Sequence, residues 1–371
     1  MVFFVLGLLK ETISDSLRIR RKPRVLQMPV TGRCNSRCKT CNVWKIEPKD
    51  RVDIDADALG KVLRDPYFNK VETVGLNGGE ISLLRDLHPI VDALSSLPSL
   101  KYVHIISNGL LPKKLLECLR LLKENLNNRG VRLGFTLSVD GIGDIHEKVR
   151  GIPGCFQKTK SLLETFNEDK TPYCDFANIG CTISQHNVAY LAEIKEFLSQ
   201  YDIPVYYHLA VPNKRIHTFE DAEYSVLKEP RAVMLAQEFF YDLYTSTRFR
   251  KAPIDKFKYF ANFHYLKNGG KGRLARCGYL YQDVTIDEHL DFSLCATASE
   301  VVGSLKESCA NKLVKSKAIK KIRKQNSQYC ETCIHYTDSP SFKGLIIFVF
   351  SLAQERLRQA KRYKRALRWL K

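Results

Sequence analysis

Six apolar runs of strand length, Val25 to Val30, Val71 to Leu76, Tyr102 to Ile106, Leu133 to Val139, Phe176 to Ile183 and Val205 to Val211, alternate along this chain with helical patterns. Those patterns, Asp55 to Leu63, Leu83 to Leu97, Lys113 to Leu126, Phe156 to Phe166 and Val188 to Leu198, space their apolar residues at three and four. Strands alternating with helices imply a parallel sheet joined by right-handed crossovers, hence an α/β fold. Periodicity alone leaves a partial barrel and a doubly wound sheet both open. In parallel barrels the chemistry gathers at the carboxyl ends of the strands. Directly after the first run stands Thr31-Gly32-Arg33-Cys34-Asn35-Ser36-Arg37-Cys38-Lys39-Thr40-Cys41, with Cys34, Cys38 and Cys41 spaced as Cys-x3-Cys-x2-Cys. Three thiolates can hold three corners of a cubane iron–sulfur cluster and leave one iron open to bind something else. A structural zinc site wants four closed ligands, so the alternative is a zinc knuckle completed from elsewhere.

Other strand ends carry further landmarks. Asn77-Gly78-Gly79-Glu80 closes the second run, Ser107-Asn108-Gly109 the third and Ser138-Val139-Asp140-Gly141 the fourth; His146-Glu147-Lys148-Val149-Arg150-Gly151 and Pro153-Gly154 follow. In this order they resemble the radical S-adenosylmethionine (SAM) enzymes, well over Arg24 to Val211 and more loosely over Ala275 to Cys333. The resemblance implies a partial (β/α)6 TIM-like barrel. It also implies a [4Fe-4S] cluster on Cys34, Cys38 and Cys41 whose open iron chelates SAM, and reductive cleavage to a 5′-deoxyadenosyl radical. The Gly78-Gly79-Glu80 turn would approach the methionine ammonium, and Ser138 and Arg150 match positions that hold its carboxylate. Asn108 and Asp140 are candidates for ribose or substrate contacts, with plain turn residues as the competing reading. An electron donor such as flavodoxin or ferredoxin is implied as a partner.

A second set, Cys277, Cys295, Cys330 and Cys333, resembles the twitch version of the SPASM-type auxiliary domain, with one auxiliary [4Fe-4S] cluster. Tyr279 to Ile286 and Leu290 to Leu294 read as a hairpin between the first two cysteines. Leu290 stands where the family commonly has Gly, Cys309 is a substitute ligand, and a zinc ribbon is the alternative. Among the other cysteines Cys181, late in the fifth strand, is the best placed to donate a hydrogen atom to a substrate radical; inert packing is the competing reading. Glu220 to Leu266 reads as an aromatic-rich helical connector, with a base-stacking platform as its alternative. The expected organisation is an apolar and basic N-terminal extension over 1–23, the barrel over 24–215, the connector over 216–270, the auxiliary domain over 271–340 and a basic amphipathic helix over 341–371.

Twelve cysteines without a secretory signal fit a reducing cytoplasm, and no apolar run approaches the length of a membrane span. The net charge of +19 calls for something anionic: a small-molecule substrate, a membrane surface or nucleic acid. No recognition-helix or RNA-binding signature accompanies it, which argues against nucleic acid. The basic residues crowd the ends, at Arg18, Arg20, Arg21, Lys22 and Arg24, and in Glu355 to Lys371 with eight Lys or Arg and one acid. In the terminal segment Leu352, Ala353, Leu357, Ala360, Tyr363, Leu367 and Leu370 follow helical spacing beside Trp369, the pattern of a helix lying in an anionic membrane interface. A helix packed on the barrel is the competing reading. A phosphorylated sugar or lipid-linked substrate follows, undergoing oxidation or epimerisation. A peptide maturase is the alternative, against which only about 24 residues precede the first strand. From other classes there remain a zinc-containing nucleic-acid-binding protein and a purely electron-relaying iron–sulfur protein.

Overall fold

The computed structural model describes residues 21–369 apart from 221, 296 and 336–338, and side chains beyond Glu355 only at Leu357. The expected apolar N-terminal stretch, with Arg18 and Arg20, lies outside the described residues, as do the side chains of Ala360, Tyr363, Leu367, Trp369 and Leu370. By its contacts the chain divides into a barrel unit, Arg20–Ala232 with Gly278–Tyr329, and a helical unit containing Val233–Cys277 and Cys330–Lys371.

In the barrel unit six parallel strands run in chain order: β1 Val25–Pro29, β2 Thr73–Asn77, β3 Tyr102–Ser107, β4 Arg132–Ser138, β5 Phe176–Ile183 and β6 Val205–Leu209. The helices between them are α1 Ala56–Leu63, α2 His88–Leu94, α3 Pro112–Asn127, α4 Asp144–Arg150, α5 Cys155–Asp169 and α6 Leu191–Leu198. Period-two alternation sorts each strand's side chains. Leu133, Phe135 and Leu137 of β4 are buried on the helix side, where Phe135 meets Phe166 of α5 at 4.9 Å between ring centroids. The opposite face looks into the lumen. On α3, Leu115, Leu119, Leu122 and Leu126 return at four and three to one buried stripe. The helix expected over Leu83 to Leu97 is shorter. Glu80 caps a separate 3-10 turn, Ile81–Leu83, and Pro89 opens α2 afresh.

The helical unit holds most of α7 Pro230–Ser246 and all of α8 Pro253–Lys267. Back in the barrel unit, α9 Gly278–Tyr281 is a helical turn where a hairpin arm was expected. Strands β7 Val284–Ile286, β8 Asp291–Ser293 and β9 Val301–Ser304 then extend the sheet beyond six strands, in the order β6-β5-β4-β3-β2-β1-β7-β8-β9. The join is parallel, Leu26↔Val284 and Gln27↔Thr285, and Asp283 Oδ1 accepts the Val25 N–H at 3.0 Å. Leu290 is fully buried with φ +66 at the β7–β8 turn, so its side chain occupies a left-handed position that favours glycine.

Two short helices, α10 Ala310–Leu313 and α11 Lys317–Cys330, precede the long α12 Phe342–Trp369. In the helical unit Phe348 of α12 packs on Phe257 and Phe260 of α8, each at 5.4 Å between ring centroids. Beside them the ammonium of buried Lys256 donates to the Tyr244 carbonyl at 2.6 Å and pairs with Glu355 at 3.2 Å. The aromatic segment is thus spent on its own core, which leaves the base-stacking alternative without support. Leu352 also packs on this core while Leu357 is exposed, so the stripe expected from Leu352 onward is split between two faces of α12.

Candidate active site

The cysteine loop after β1 is clamped from two sides. On one, the Gly79 and Glu80 N–H groups donate to the Thr31 and Arg33 carbonyls at 2.7 Å each. A Cβ on Gly78, whose φ is +139, would stand 2.6 Å from the Thr31 oxygen, and one on Gly79 would collide with Arg33 O. Only glycines let the turn run this close. On the other side, Arg37 N donates to Arg150 O at 2.9 Å and Lys39 N to Val149 O at 2.8 Å, while Gly151, φ +68, lies against Arg37 O. The glycines of this turn therefore seat the cysteine loop.

Glu80 is 1% exposed and fully engaged. Its Oε1 accepts from Ser82 N, Ser82 Oγ and Ser107 Oγ at 3.1, 2.7 and 2.7 Å, and its Oε2 from Asn108 N at 2.8 Å. It ties the β2 end to the β3 end rather than waiting for an ammonium. Asn108 in turn donates to Asn35 Oδ1 at 2.9 Å, accepts from Leu110 N, and sets its amide 3.9 Å from Cys34 Sγ. Asp140 is committed too. Its Oδ2 pairs with Arg150 Nη2 at 2.8 Å, its Oδ1 accepts from Thr182 N at 2.8 Å, and its carbonyl accepts from Asn187 Nδ2. Each Asp140 carboxylate oxygen thus already accepts one bond within the fold, and the side chain is 2% exposed. Arg150, with Nη2 on Asp140 and Nη1 3.6 Å from Cys38 Sγ, does not present a free fork to a methionine carboxylate, although its buried Nε has no partner. Burial opposes its charge, but the Asp140 carboxylate and the Cys38 sulfur raise the guanidinium pKa above its ordinary value. Ser138 is half-buried on the lumen face, in register with Gly180.

Sequence reasoning missed three braces. Ser36 Oγ lies 3.1 Å from Cys38 Sγ and donates to Arg150 O. Asn187, fully buried, joins Asp140 O, Thr182 O and Ser184 N. The Nδ1 of His146 accepts the Asp140 N–H at 3.2 Å, so its proton sits on Nε2, facing Thr159 Oγ1. Burial presses the His146 pKa down to about 3 and the His104 pKa to about 4. Cys181 is wholly buried on the strand face it shares with Ala177, Ile179 and Ile183, opposite Thr182. Burial pushes its thiol well above the ordinary range. That placement makes it a packing residue and removes the case for a hydrogen-atom donor.

The lumen face is polar. His104 Nε2 meets Thr136 Oγ1 at 2.9 Å, Thr182 Oγ1 meets His208 Nε2 at 2.9 Å, and Asn77 Nδ2 donates to Gln27 Oε1 at 2.9 Å. The buried Asn77 Oδ1 has no partner.

Of the second cysteine set, Cys295 belongs to the barrel unit and Cys277, Cys330 and Cys333 to the helical unit. Cys295 Sγ is contacted by Thr297 N and Oγ1 at 3.4 and 3.1 Å. In the helical unit Arg273 donates to the Ala275, Arg276 and Cys333 carbonyls, tying the approach to Cys277 to the Cys333 turn. Cys309 is exposed. Among the described residues no three His, Cys, Asp or Glu side chains are grouped to hold a metal ion, in the first cysteine set or the second.

Comparison with known proteins meets this geometry. Residues 28–198 match the model of the Radical SAM superfamily. The chain carries a radical SAM domain. It is 26% identical over 169 residues to the molybdenum cofactor biosynthesis protein moc-5 of Caenorhabditis elegans, covering 43% of this chain and 28% of that protein. It is 25% identical over 169 residues to the sporulation killing factor maturation protein SkfB of Bacillus subtilis, covering 46% and 38%. The match thus spans well under half of these relatives. In fold the chain resembles anSMEcpe solved with AdoMet, at TM-score 0.60 and 15% identity over 91% of this chain and 98% of that one. It likewise resembles SuiB of Streptococcus suis bound to its precursor peptide SuiA, at TM-score 0.56 and 15% identity over 90% and 75%. A radical SAM domain uses a [4Fe-4S] cluster and SAM, and the likeness to the solved structures is one of fold.

The residues fit a [4Fe-4S] cluster and SAM in donor chemistry and in their support, although Cys34, Cys38 and Cys41 are not grouped as metal ligands in this arrangement. Three thiols share one loop held between glycine contacts, a guanidinium stands beside Cys38, and the buried Arg150 Nε lacks a partner. Burial raises Cys34 to about 12 and Cys41 to about 11, so both thiols are protonated until a metal displaces the protons.

Proposed function

We propose that the chain abstracts hydrogen from a hydroxyl-rich small molecule, a phosphorylated or lipid-linked sugar, to oxidise or epimerise it, at the surface of an anionic membrane. When bound, the cluster on Cys34, Cys38 and Cys41 and SAM supply a 5′-deoxyadenosyl radical. The chain's own groups do the rest. Glu80 and Asp140 fix the ends of four strands around the loop, and Arg150 holds positive charge beside Cys38. Ser138 and the Arg150 Nε are the atoms proposed for the methionine carboxylate, and Gly78, Gly79 and Asn108 set the loop's position. The observation that carries the substrate class is the lumen, whose His104–Thr136, Thr182–His208 and Gln27–Asn77 pairs offer neutral donors and acceptors matched to hydroxyl groups. The auxiliary cluster is proposed on the order and spacing of Cys277, Cys295, Cys330 and Cys333, and flavodoxin or ferredoxin as electron donor.

A second reading is a peptide maturase, favoured by the likeness to SkfB and to the fold of SuiB. Anaerobic reconstitution tests both. The protein should take up about eight irons, by the arithmetic of three plus four thiols. With reductant and SAM it should form 5′-deoxyadenosine, and Cys34→Ala/Cys38→Ala/Cys41→Ala should abolish the product while keeping the auxiliary iron. Deuterium passing into 5′-deoxyadenosine from a deuterated sugar supports the first reading; passage only from a peptide establishes the second.

A further inference from the structure

Helix α12 is apolar on two sides. One side belongs to the helical unit's core: Phe348 is 3% exposed, Leu352 packs beside it, Ser351 Oγ meets Tyr244 OH at 2.9 Å and Glu355 pairs with Lys256. Away from that side run Phe342, Ile346, Val349, Phe350 and Leu357, 46%, 42%, 55%, 67% and 63% exposed. Their spacing, i, i+4, i+7, i+8 and i+15, at 100° per residue makes one continuous stripe. Five large apolar side chains in line on one helix are not the scattered exposure of an ordinary surface.

The charge of the same helix says what fits the stripe. Beyond it, Glu355 to Lys371 carries eight Lys or Arg and one acid. A protein partner would need both an apolar groove and a strongly acidic extension in register with it, whereas an anionic lipid surface offers both properties everywhere along its interface. No helix among the described residues is long and apolar enough to cross a membrane, so α12 would lie along the surface. Its anchoring allows this. Ser341 Oγ accepts from Gly344 N at 3.0 Å and donates to Leu274 O at 2.8 Å, and a Cβ on Gly344 would collide with Leu274 O. The start of the helix is therefore fixed to the core while the striped side is left exposed among the described residues.

We infer that α12 docks the enzyme on anionic lipid through Phe342, Ile346, Val349, Phe350 and Leu357, with its basic end against the headgroups. The inference rests on the membrane-surface reading above and assigns the face that makes the contact. Leu352, which sequence spacing places on a lipid stripe, belongs to the core instead.

The test is flotation of the reconstituted full-length chain with vesicles of phosphatidylcholine, alone or mixed with phosphatidylglycerol. Wild type should float with the mixed vesicles and be released by salt, since screening shortens to about 10 Å at 0.1 M. Val349→Glu/Leu357→Glu, at two exposed positions, should weaken partitioning at least about tenfold while iron content, thermal transition and 5′-deoxyadenosine formation stay at wild-type levels. Undiminished flotation of this variant would overturn the face assignment and leave the membrane reading standing. Wild type that floats with neither vesicle would remove both. A wild-type dimer that the variant converts to monomer, seen by light scattering, would assign the stripe to a second copy of the chain and overturn the proposal. Normal flotation without SAM cleavage would sink the enzymatic reading alone.

Discussion

The rim of the barrel and the α12 helix dispose of their side chains in opposite ways. At the rim nearly every polar atom has a partner within the fold: the Glu80 carboxylate takes four donors, and the Asp140 carboxylate takes Arg150 and Thr182. On α12 five large apolar side chains are left 42% to 67% exposed. A buried polar network is expensive to leave incomplete, so it fixes one geometry. An exposed apolar stripe costs the isolated fold little and makes its gain only when another phase covers it. The contrast separates what positions the chemistry from what positions the protein.

The sharpest way to break that contrast is to remove one member of the rim. Arg150→Ala leaves Asp140, 2% exposed, buried and uncompensated, which should cost about 3–5 kcal/mol of stability. Arg150→Met/Asp140→Leu should recover much of that loss, because it is the unpaired charge that is costly. Urea midpoints of the cluster-free proteins measure both. If Arg150→Ala cost no more than an exposed substitution, the rim would not be the rigid element described here.

Much of this was legible in the residues. The strand runs match β1 to β6 closely, because buried parallel strands are apolar along their length. The rim turns stood out because glycines and short polar residues cluster where strands end. What those polar residues bond to was not legible. Glu80 finds Ser107 and Asn108 only after β2 and β3 lie side by side, and Asp140 finds Thr182 across β5. A Gly-Gly-Glu string is equally consistent with a carboxylate facing a ligand and one facing its own fold. Cys181 was decidable, since Asn178 and Thr182 mark the lumen face of β5 and put Cys181 in the other parity. The nine-stranded sheet was hidden because β7 to β9 are too short to show a period.

A smaller effect comes from protons at the barrel's neutral histidines. His146, pressed to about 3, and His104, pressed to about 4, are neutral when folded, while the unfolded chain protonates each near 6.5. Their folded pKa values lie below the unfolded one, so their contribution to stability is complete above pH 6.5 and is lost as pH falls toward 4 and then 3. Each should cost about 1 kcal/mol on going from pH 7.5 to 5.5. The slope of urea stability against pH should be shallower in His146→Gln, and an unchanged slope would mean that His146 is not held neutral.

The smallest expected effect sharpens the other half of the comparison. On α12, Val349 is 55% exposed and its neighbour Phe348 is 3% exposed. Val349→Ser removes side-chain area that already faces water, so it should change stability by no more than about 0.5 kcal/mol. Phe348→Ala, one residue away, opens a cavity among Phe257, Phe260 and Tyr244 and should cost about 3–5 kcal/mol. The pair is its own control, since both substitutions act on the same turn of the same helix. Equal costs would mean that the Val349 side of α12 is covered in the free protein, and the stripe would then be core rather than a surface awaiting lipid.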